Sequence, residues 1–340
     1  MSAPTRISHH NRHLHALREI VPGLALAGGI AVAALLLRQL TGIGLLSPMI
    51  VAVLAGLAIG SLWQFPQSLR PGLAAATRPV LRTGIILLGF QITLGQVWAL
   101  GAAAFAVSAL TLVATFLAIR AVGKMLGVAG PLTDLIAAGT AVCGASAVIA
   151  ANPVARGSDE DVAYAVACVT IFGTLAMLTA PLLAVPLGLA PEGYGIWVGA
   201  TVHEVAQVTA AAFQQGDAAG HAGTVAKLIR VMLLAPLVLA MALALRGRAR
   251  GGASAVPVPW FVFGFVAVML LNSAIALPDS FRVGASLLTT FLLSTGLAAM
   301  GLMTDPRRLR ARGARPLALG AFGWVFAAGF GYLAVVVLGV

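Results

Sequence analysis

Long apolar runs succeed one another along the chain, separated by short polar or basic stretches. A helix needs about 20 mostly apolar residues to cross the hydrocarbon core of a bilayer. Eleven segments approach that requirement, at 20–37, 43–62, 83–98, 99–119, 132–152, 162–188, 194–213, 224–245, 258–277, 283–303 and 316–340. The pattern predicts an all-α membrane protein with about 11 transmembrane helices. The connections are too brief for a soluble domain. Residues 20–340 therefore read as a single transmembrane domain behind a basic cytoplasmic tail at residues 1–19.

Two of these runs are interrupted at matching places. Residues 139–151 read GTAVCGASAVIAA, and residues 199–211, 60 positions on, read GATVHEVAQVTAA. In the first, Gly139, Thr140, Cys143, Gly144 and Ser146 cluster at mid-span. Such residues either let neighbouring helices approach closely or mark a helix that breaks. Unwound backbone at that depth has to line a cavity or be buried in protein. The N–H groups freed at a half-helix N-terminus then favour an anion.

The second run carries Glu204 near the middle of an apolar span, where an ionisable side chain costs roughly 2.5–3.5 kcal/mol on insertion scales. It has to face the protein interior or water. On a helix His203 and Gln207 would stack one turn apart, with Glu204 also in reach of Gln207. That polar stripe is either a satisfied structural network or a site for substrate and protons.

A further echo links Thr83-Gly84 and Gly89 with Thr295-Gly296 and Gly301, 212 residues apart with the same internal spacing. Alternating spans would make these copies antiparallel, as in the inverted repeats of secondary transporters. The offsets of 60 and 212 residues cannot both come from one tandem duplication.

Composition agrees with the membrane reading. Apolar residues form 60% of the chain and charged residues 9%, with a mean hydropathy of +1.00. Soluble domains carry roughly 25% charged residues, so a water-facing surface of this size is excluded. The net charge of +11 is a topology signal, because 16 of the 21 basic residues fall on one side when the spans alternate. By the positive-inside rule that side is cytoplasmic, with the N-terminus inside and the C-terminus outside. The charge also favours anionic membrane lipids and does not form a nucleic-acid patch.

Several residues have two readings each. His9, His10, His13 and His15 could bind metal or belong to a solvated tail. Lys227 and Arg230, one turn apart at the outer end of the eighth span, either attract an anion or snorkel to the interface. Asn272 and Ser273 read as interfacial, Asp134 as a first-turn acid, and Pro181 and Pro186 as kinks or helix ends. Cys143 and Cys168 both fall in spans and are expected to be free thiols. No Walker loop, HExxH spacing or GxSxG elbow occurs, so neither an enzyme nor a cofactor or metal site is expected.

At CGASA (143–147), GATVHEVAQV (199–208) and the TG-x4-G stretches at 84–89 and 296–301, the chain resembles the YeiH-like sulfate exporter family of bacterial inner-membrane proteins. The resemblance runs from about residue 20 to residue 340. It implies a multi-span secondary transporter for sulfate or a related small anion, with a sodium/proton antiporter-like fold of crossed, discontinuous helices and inverted repeats. Its motif residues here are Cys143, Gly144, Ser146, His203, Glu204 and Gln207.

The combined expectation is a proton-coupled exporter in the bacterial inner (plasma) membrane. Cys143, Gly144, Ala145, Ser146 and Gln207 would hold the anion, and His203 and Glu204 would carry protons. The alternatives are a cation/proton antiporter, which calls for acidic ligands that residues 139–151 lack, and a passive anion channel. A homodimer is left open.

Overall fold

The computed structural model describes residues 9–41, 47–63, 66–244, 260–275, 277–304 and 313–340, and all regular structure among them is helical. Seven helical stretches are long and apolar enough to span a bilayer: Glu19–Thr41, Gln67–Gln91, Leu94–Met125, Asp159–Leu187, Asp217–Ala244, Asp279–Met303 and Ala314–Leu338. The chain is thus a multi-pass membrane protein. The other four expected spans are two 15-residue apolar helices and two interrupted segments, which length alone does not establish as crossings. Residues 1–8 of the basic N-terminal stretch lie outside the described residues, and the backbone is helical from His9 onward.

The chain divides into two compact units. The first comprises Met1–Gly84 with Leu287–Met303. It contains α1 (His9–Thr41), α2 (Pro48–Leu62), α3 (Arg70–Ala75), the start of α4 (Leu81–Leu87) and the later part of α14 (Asp279–Met303). Its core is built largely from alanine, with Ala27, Ala34, Ala52, Ala76, Ala298 and Ala299 around Leu73 and Leu302. Small residues suit helices that pack without a hydrophobic driving force, because they let backbones touch. Thr83 and Thr295 each donate to the carbonyl four residues back, at 3.0 and 2.8 Å. Gly84 faces Leu292 and Leu293 while Gly296 faces Leu81, so the first glycines of the TG-x4-G copies lie on opposing helices.

The second unit comprises Ile85–Ser286 and Thr304–Val340. It holds α5 (Leu94–Met125), α6 (Gly130–Ala141), α7 (Ala145–Ala155), α8 (Asp159–Leu187), α9 (Pro191–Thr201), α10 (Val205–Ala212), α11 (Asp217–Met232), α12 (Leu234–Ala244), α13 (Trp260–Ala274) and α15 (Ala314–Leu338). Spans expected at 83–98 and 99–119 are redrawn here: the earlier helix ends at Gln91, and the next starts at Leu94 and runs 32 residues. The cause is a capping box, in which Thr93 accepts from the Gln96 N–H at 3.4 Å and the Gln96 side chain accepts from the Thr93 N–H at 2.9 Å.

Asn272 and Ser273 serve that junction rather than the interface. Asn272 Nδ2 donates to the Ile92 carbonyl at 3.1 Å, and Ser273 Oγ accepts from the Leu94 N–H at 2.8 Å. Asp134 is likewise not a first-turn acid; it pairs with Arg120 at 2.8 Å. Pro181 and Pro186 lie in α8, which ends one residue after the second at a left-handed Gly188. Both cysteines are free and buried.

Candidate functional site

Both echoed segments are broken, and at equivalent positions. Helix α6 stops at Ala141 and α7 starts at Ala145; α9 stops at Thr201 and α10 starts at Val205. The non-helical residues are therefore Val142-Cys143-Gly144 and Val202-His203-Glu204, the same three positions of the repeat. The two breaks use different backbone geometry. Gly144 has φ 68° and ψ −130°, a region open to glycine and costly for other residues. Val202 and Glu204 are extended, at φ −70°, ψ 147° and φ −104°, ψ 149°. Any residue adopts that conformation, so position 204 is free to carry a long side chain.

That side chain joins the two segments. Glu204 Oε1 accepts the Ala145 N–H, the first of α7, at 2.8 Å. A carboxylate at a helix N-terminus satisfies an orphan donor and complements the dipole. A β-carbon at Gly144 would collide with this carboxylate, so the missing side chain at one break makes room for the charge of the other. Gln207 Oε1 accepts the Glu204 N–H at 3.0 Å, and Gln207 Nε2 donates to Thr174 Oγ1 of α8 at 3.4 Å. Gly173, also on α8, leaves the space that the Gln207 amide and His203 occupy.

The helical stripe expected for His203, Glu204 and Gln207 is corrected by this geometry. Residues 202–204 are not helical, so His203 is not stacked on Gln207 by helical spacing; the Glu204–Gln207 pair forms at the start of α10 instead. His203 is fully buried, and neither ring nitrogen has a hydrogen-bond partner among the described residues. Cys143 and Gly144 are buried, Ala145 is half-buried, and Ser146 is exposed. Glu204 thus brings together Gly144, Ala145 and Gln207, with Cys143 and His203 in the breaks themselves.

The opposite ends of the breaks hold what the sequence reading placed elsewhere. A helix C-terminus leaves up to four carbonyls without partners. Lys227 Nζ donates to the carbonyls of Val142 at 2.6 Å and Val202 at 2.7 Å, one from each break. Arg230 donates through Nε to Ala141 at 2.7 Å, through Nη2 to Thr140 at 2.5 Å and through Nη1 to Val202 at 3.4 Å. Both cations are 0% exposed. Buried in this way, they do not snorkel to an interface. Neither forms an ion pair with a carboxylate among the described residues.

Glycines set this arrangement. Gly195 of α9 lies against the Ala219 carbonyl of α11, and Gly199 lies against that of Gly223. Small residues at four-residue intervals on both helices bring the backbones into contact. The next turn of α11 then delivers Lys227 to the carbonyl of Val202. The Lys-Arg pair one turn apart is visible in the sequence; what misplaces it there is the start of the span. The expected span began at residue 224, whereas the spanning stretch is Asp217–Ala244, so both cations fall inside it, with Arg230 in the last turn of α11.

A cavity of about 310 Å³ borders the second break at Thr201 and Val202 and is otherwise walled mainly by apolar and aromatic side chains, among them Trp197, Trp324 and Tyr332. None of Cys143, Gly144, Ala145, Ser146, His203, Glu204 and Gln207 lines it.

The profile of a family described as "Conserved hypothetical protein 698" matches residues 22–320. The chain belongs to this family. It is 36% identical over 341 residues to the UPF0324 inner membrane protein YeiH of Escherichia coli K12, covering 96% of each chain. It is 36% identical over 345 residues to the UPF0324 membrane protein PA5383 of Pseudomonas aeruginosa, covering 94% of this chain and 95% of that one. A UPF0324 membrane protein of Listeria monocytogenes is 34% identical over 318 residues, covering 93% of this chain and 95% of its own. No solved structure matches. The YeiH-like resemblance read from the motifs is thereby established as family membership.

Proposed function

We propose that the protein is a secondary active transporter of the inner membrane that exports a small anion, sulfate or a related sulfur oxyanion, with protons as the coupling ion. One observation carries the anionic substrate. Two buried cations and one carboxylate meet at the paired breaks, and the cations bond carbonyls rather than the carboxylate. The formal charge of the three groups leaves one positive charge in excess. Buried charge is expensive unless compensated; the helix C-termini offset part of it, and a bound anion at the N-terminal face supplies the rest.

The donors for that anion are the main-chain N–H groups where α7 and α10 begin, with the Ser146 hydroxyl beside them. Discontinuous helices whose N-termini face an anionic group are a recurrent substrate site in secondary transporters. The equivalent breaks in the two echoes support the same reading, which accords with the discontinuous-helix carrier that the family resemblance implies. Glu204 holds the Ala145 N–H while it is a carboxylate. When it takes up a proton its hold weakens and the donor becomes available to an oxyanion, so anion and proton load together. His203, with two ring nitrogens unpartnered, is the second proton stop. A dianion leaving with one proton carries net negative charge outward, which an inside-negative potential drives.

The test is a thermal-shift screen of sulfate, sulfite, thiosulfate, sulfonates and carboxylates on purified protein, followed by flux in proteoliposomes. A saturable flux of one such anion, accumulated against its gradient by a proton pulse, supports the reading. Flux of sodium with no anion response would replace it by cation/proton antiport; non-saturating anion flux would replace it by a passive channel.

A further inference from the structure

Where two broken helices present their C-terminal ends to one another, the backbone itself builds a cation site. Each end concentrates roughly half a negative charge on carbonyls that lack helical partners. Here the carbonyls of Thr140, Ala141 and Val142 at the end of α6 and of Val202 at the end of α9 are close enough to be bonded by two adjacent side chains of α11. A cluster of carbonyl oxygens is the ligand type that hard cations such as sodium prefer. In this chain the oxygens are already taken by an ammonium and a guanidinium.

We infer that Lys227 and Arg230 are the permanent occupants of this cation site, so that the transport cycle runs without a dissolved sodium or potassium ion as coupling partner. The inference deepens the carrier reading above and rests on it for the word cycle. The occupants cannot be exchanged like a dissolved ion. They are tethered to α11, and α11 is held against α9 by the backbone contacts at Gly195 and Gly199. One Lys227 ammonium is shared between Val142 and Val202, so its departure would strand the Val142 carbonyl and leave Val202 only the longer Arg230 bond of 3.4 Å. The moving charges are then confined to the other face of the breaks, where Glu204 and the helix N-termini lie.

The experiment is thermal unfolding of the purified full chain at fixed ionic strength in choline, sodium, potassium, ammonium and methylammonium chlorides, for wild type and Lys227→Ala. Wild type is expected to show no cation-specific shift. Lys227→Ala opens the cage, so it should unfold at a lower temperature and regain part of the loss, saturably, in ammonium or methylammonium. Saturable stabilisation of wild type by sodium or potassium over choline overturns the inference, and so does a Lys227→Ala protein as stable as wild type in choline. If Lys227→Ala does not fold, the wild-type series decides alone, and recovery of folding by Lys227→Arg but not Lys227→Met supports a required cation. Wild type that ignores alkali cations yet moves no anion keeps the filled cage and sinks the transport reading, so the two failures are distinguishable.

Discussion

Gly144 and Glu204 occupy the same position of the two echoed segments, and one makes room for the other: the glycine lacks the β-carbon that would strike the Glu204 carboxylate bonded to Ala145 at 2.8 Å. The glycine also holds φ at 68°. Gly144→Ala therefore meets two penalties, a strained backbone costing roughly 1–3 kcal/mol and a displaced carboxylate. The expected result is a clear fall in thermal stability of the purified protein and loss of flux. Because the second penalty needs the Glu204 side chain, adding Glu204→Ala should cost less in Gly144→Ala than in wild type. Strict additivity of the two substitutions in thermal unfolding would show that the contact has no energetic weight.

Glu204 itself separates into a structural and a charge role. Glu204→Ala leaves the Ala145 N–H without its acceptor, a loss of about 1–3 kcal/mol for a buried donor. Glu204→Gln keeps an acceptor oxygen but not the charge, and neutral acceptors hold a donor less strongly than ionised ones. The amide variant should therefore stay close to wild-type stability while resembling the protonated form. Wild-type anion binding should tighten as pH falls, since the protonated carboxyl releases Ala145. Binding to Glu204→Gln should be tighter than wild type at neutral pH and keep only the pH dependence that His203 contributes, and a proton pulse should drive much less accumulation. Isothermal titration and proteoliposome flux measure both arms; a Glu204→Gln protein with the wild-type pH profile removes Glu204 from proton coupling.

How much of this was legible depended on whether the signal was local. The interruptions were, because Glu204 is a residue type that an apolar span admits only for a reason. That both are breaks in the helix was not, since Gly144 also fits close packing and residues 203–207 also fit a helical stripe. The junction at Thr93 was also written locally, as Thr93-x-x-Gln96, and was lost because the apolar run continues through it. Lys227 and Arg230 were visible as charges, but their partners are backbone carbonyls between 25 and 90 residues away, and carbonyls have no sequence signature. The start of α11 misled for a related reason: DAAGHAG reads as a polar connection, yet its small residues make the close packing of α11 on α9 possible. The pairing of Gln207 with Thr174 was beyond any periodicity argument, since it joins two helices of unrelated register.

The contact between α9 and α11 gives a third prediction. Gly199 has the Gly223 carbonyl against the place of its missing β-carbon. Gly199→Leu would push the helices apart, and backbone at such a contact yields less readily than a flexible side chain. Lys227 would then lose its reach to Val202 before its reach to Val142, because only the former is carried by α9. Overpacking of this kind typically costs 1–3 kcal/mol. The variant should unfold at lower temperature and lose flux, whereas Gly329→Leu, at a site with nothing within 4 Å of a β-carbon, should change stability little. Equal losses from both substitutions would place the effect in general helix insertion rather than in this contact.

Arg230 tests whether the far end of the first break needs a fork or only a charge. Its guanidinium serves three carbonyls on two helices, Thr140, Ala141 and Val202, at distances of 2.5, 2.7 and 3.4 Å. A lysine keeps the charge but has a single nitrogen, which lacks the rigid spread of donors. Arg230→Lys should leave at least one carbonyl unsatisfied and cost about 1–3 kcal/mol. Arg230→Met removes the charge as well and should be the more damaging, since two helix C-termini then face Lys227 alone. The expected order in thermal unfolding is wild type, then Arg230→Lys, then Arg230→Met. If Arg230→Lys matches wild type, the carbonyls require charge without directed donors; if it falls as far as Arg230→Met, the directed bonds matter and the charge does not.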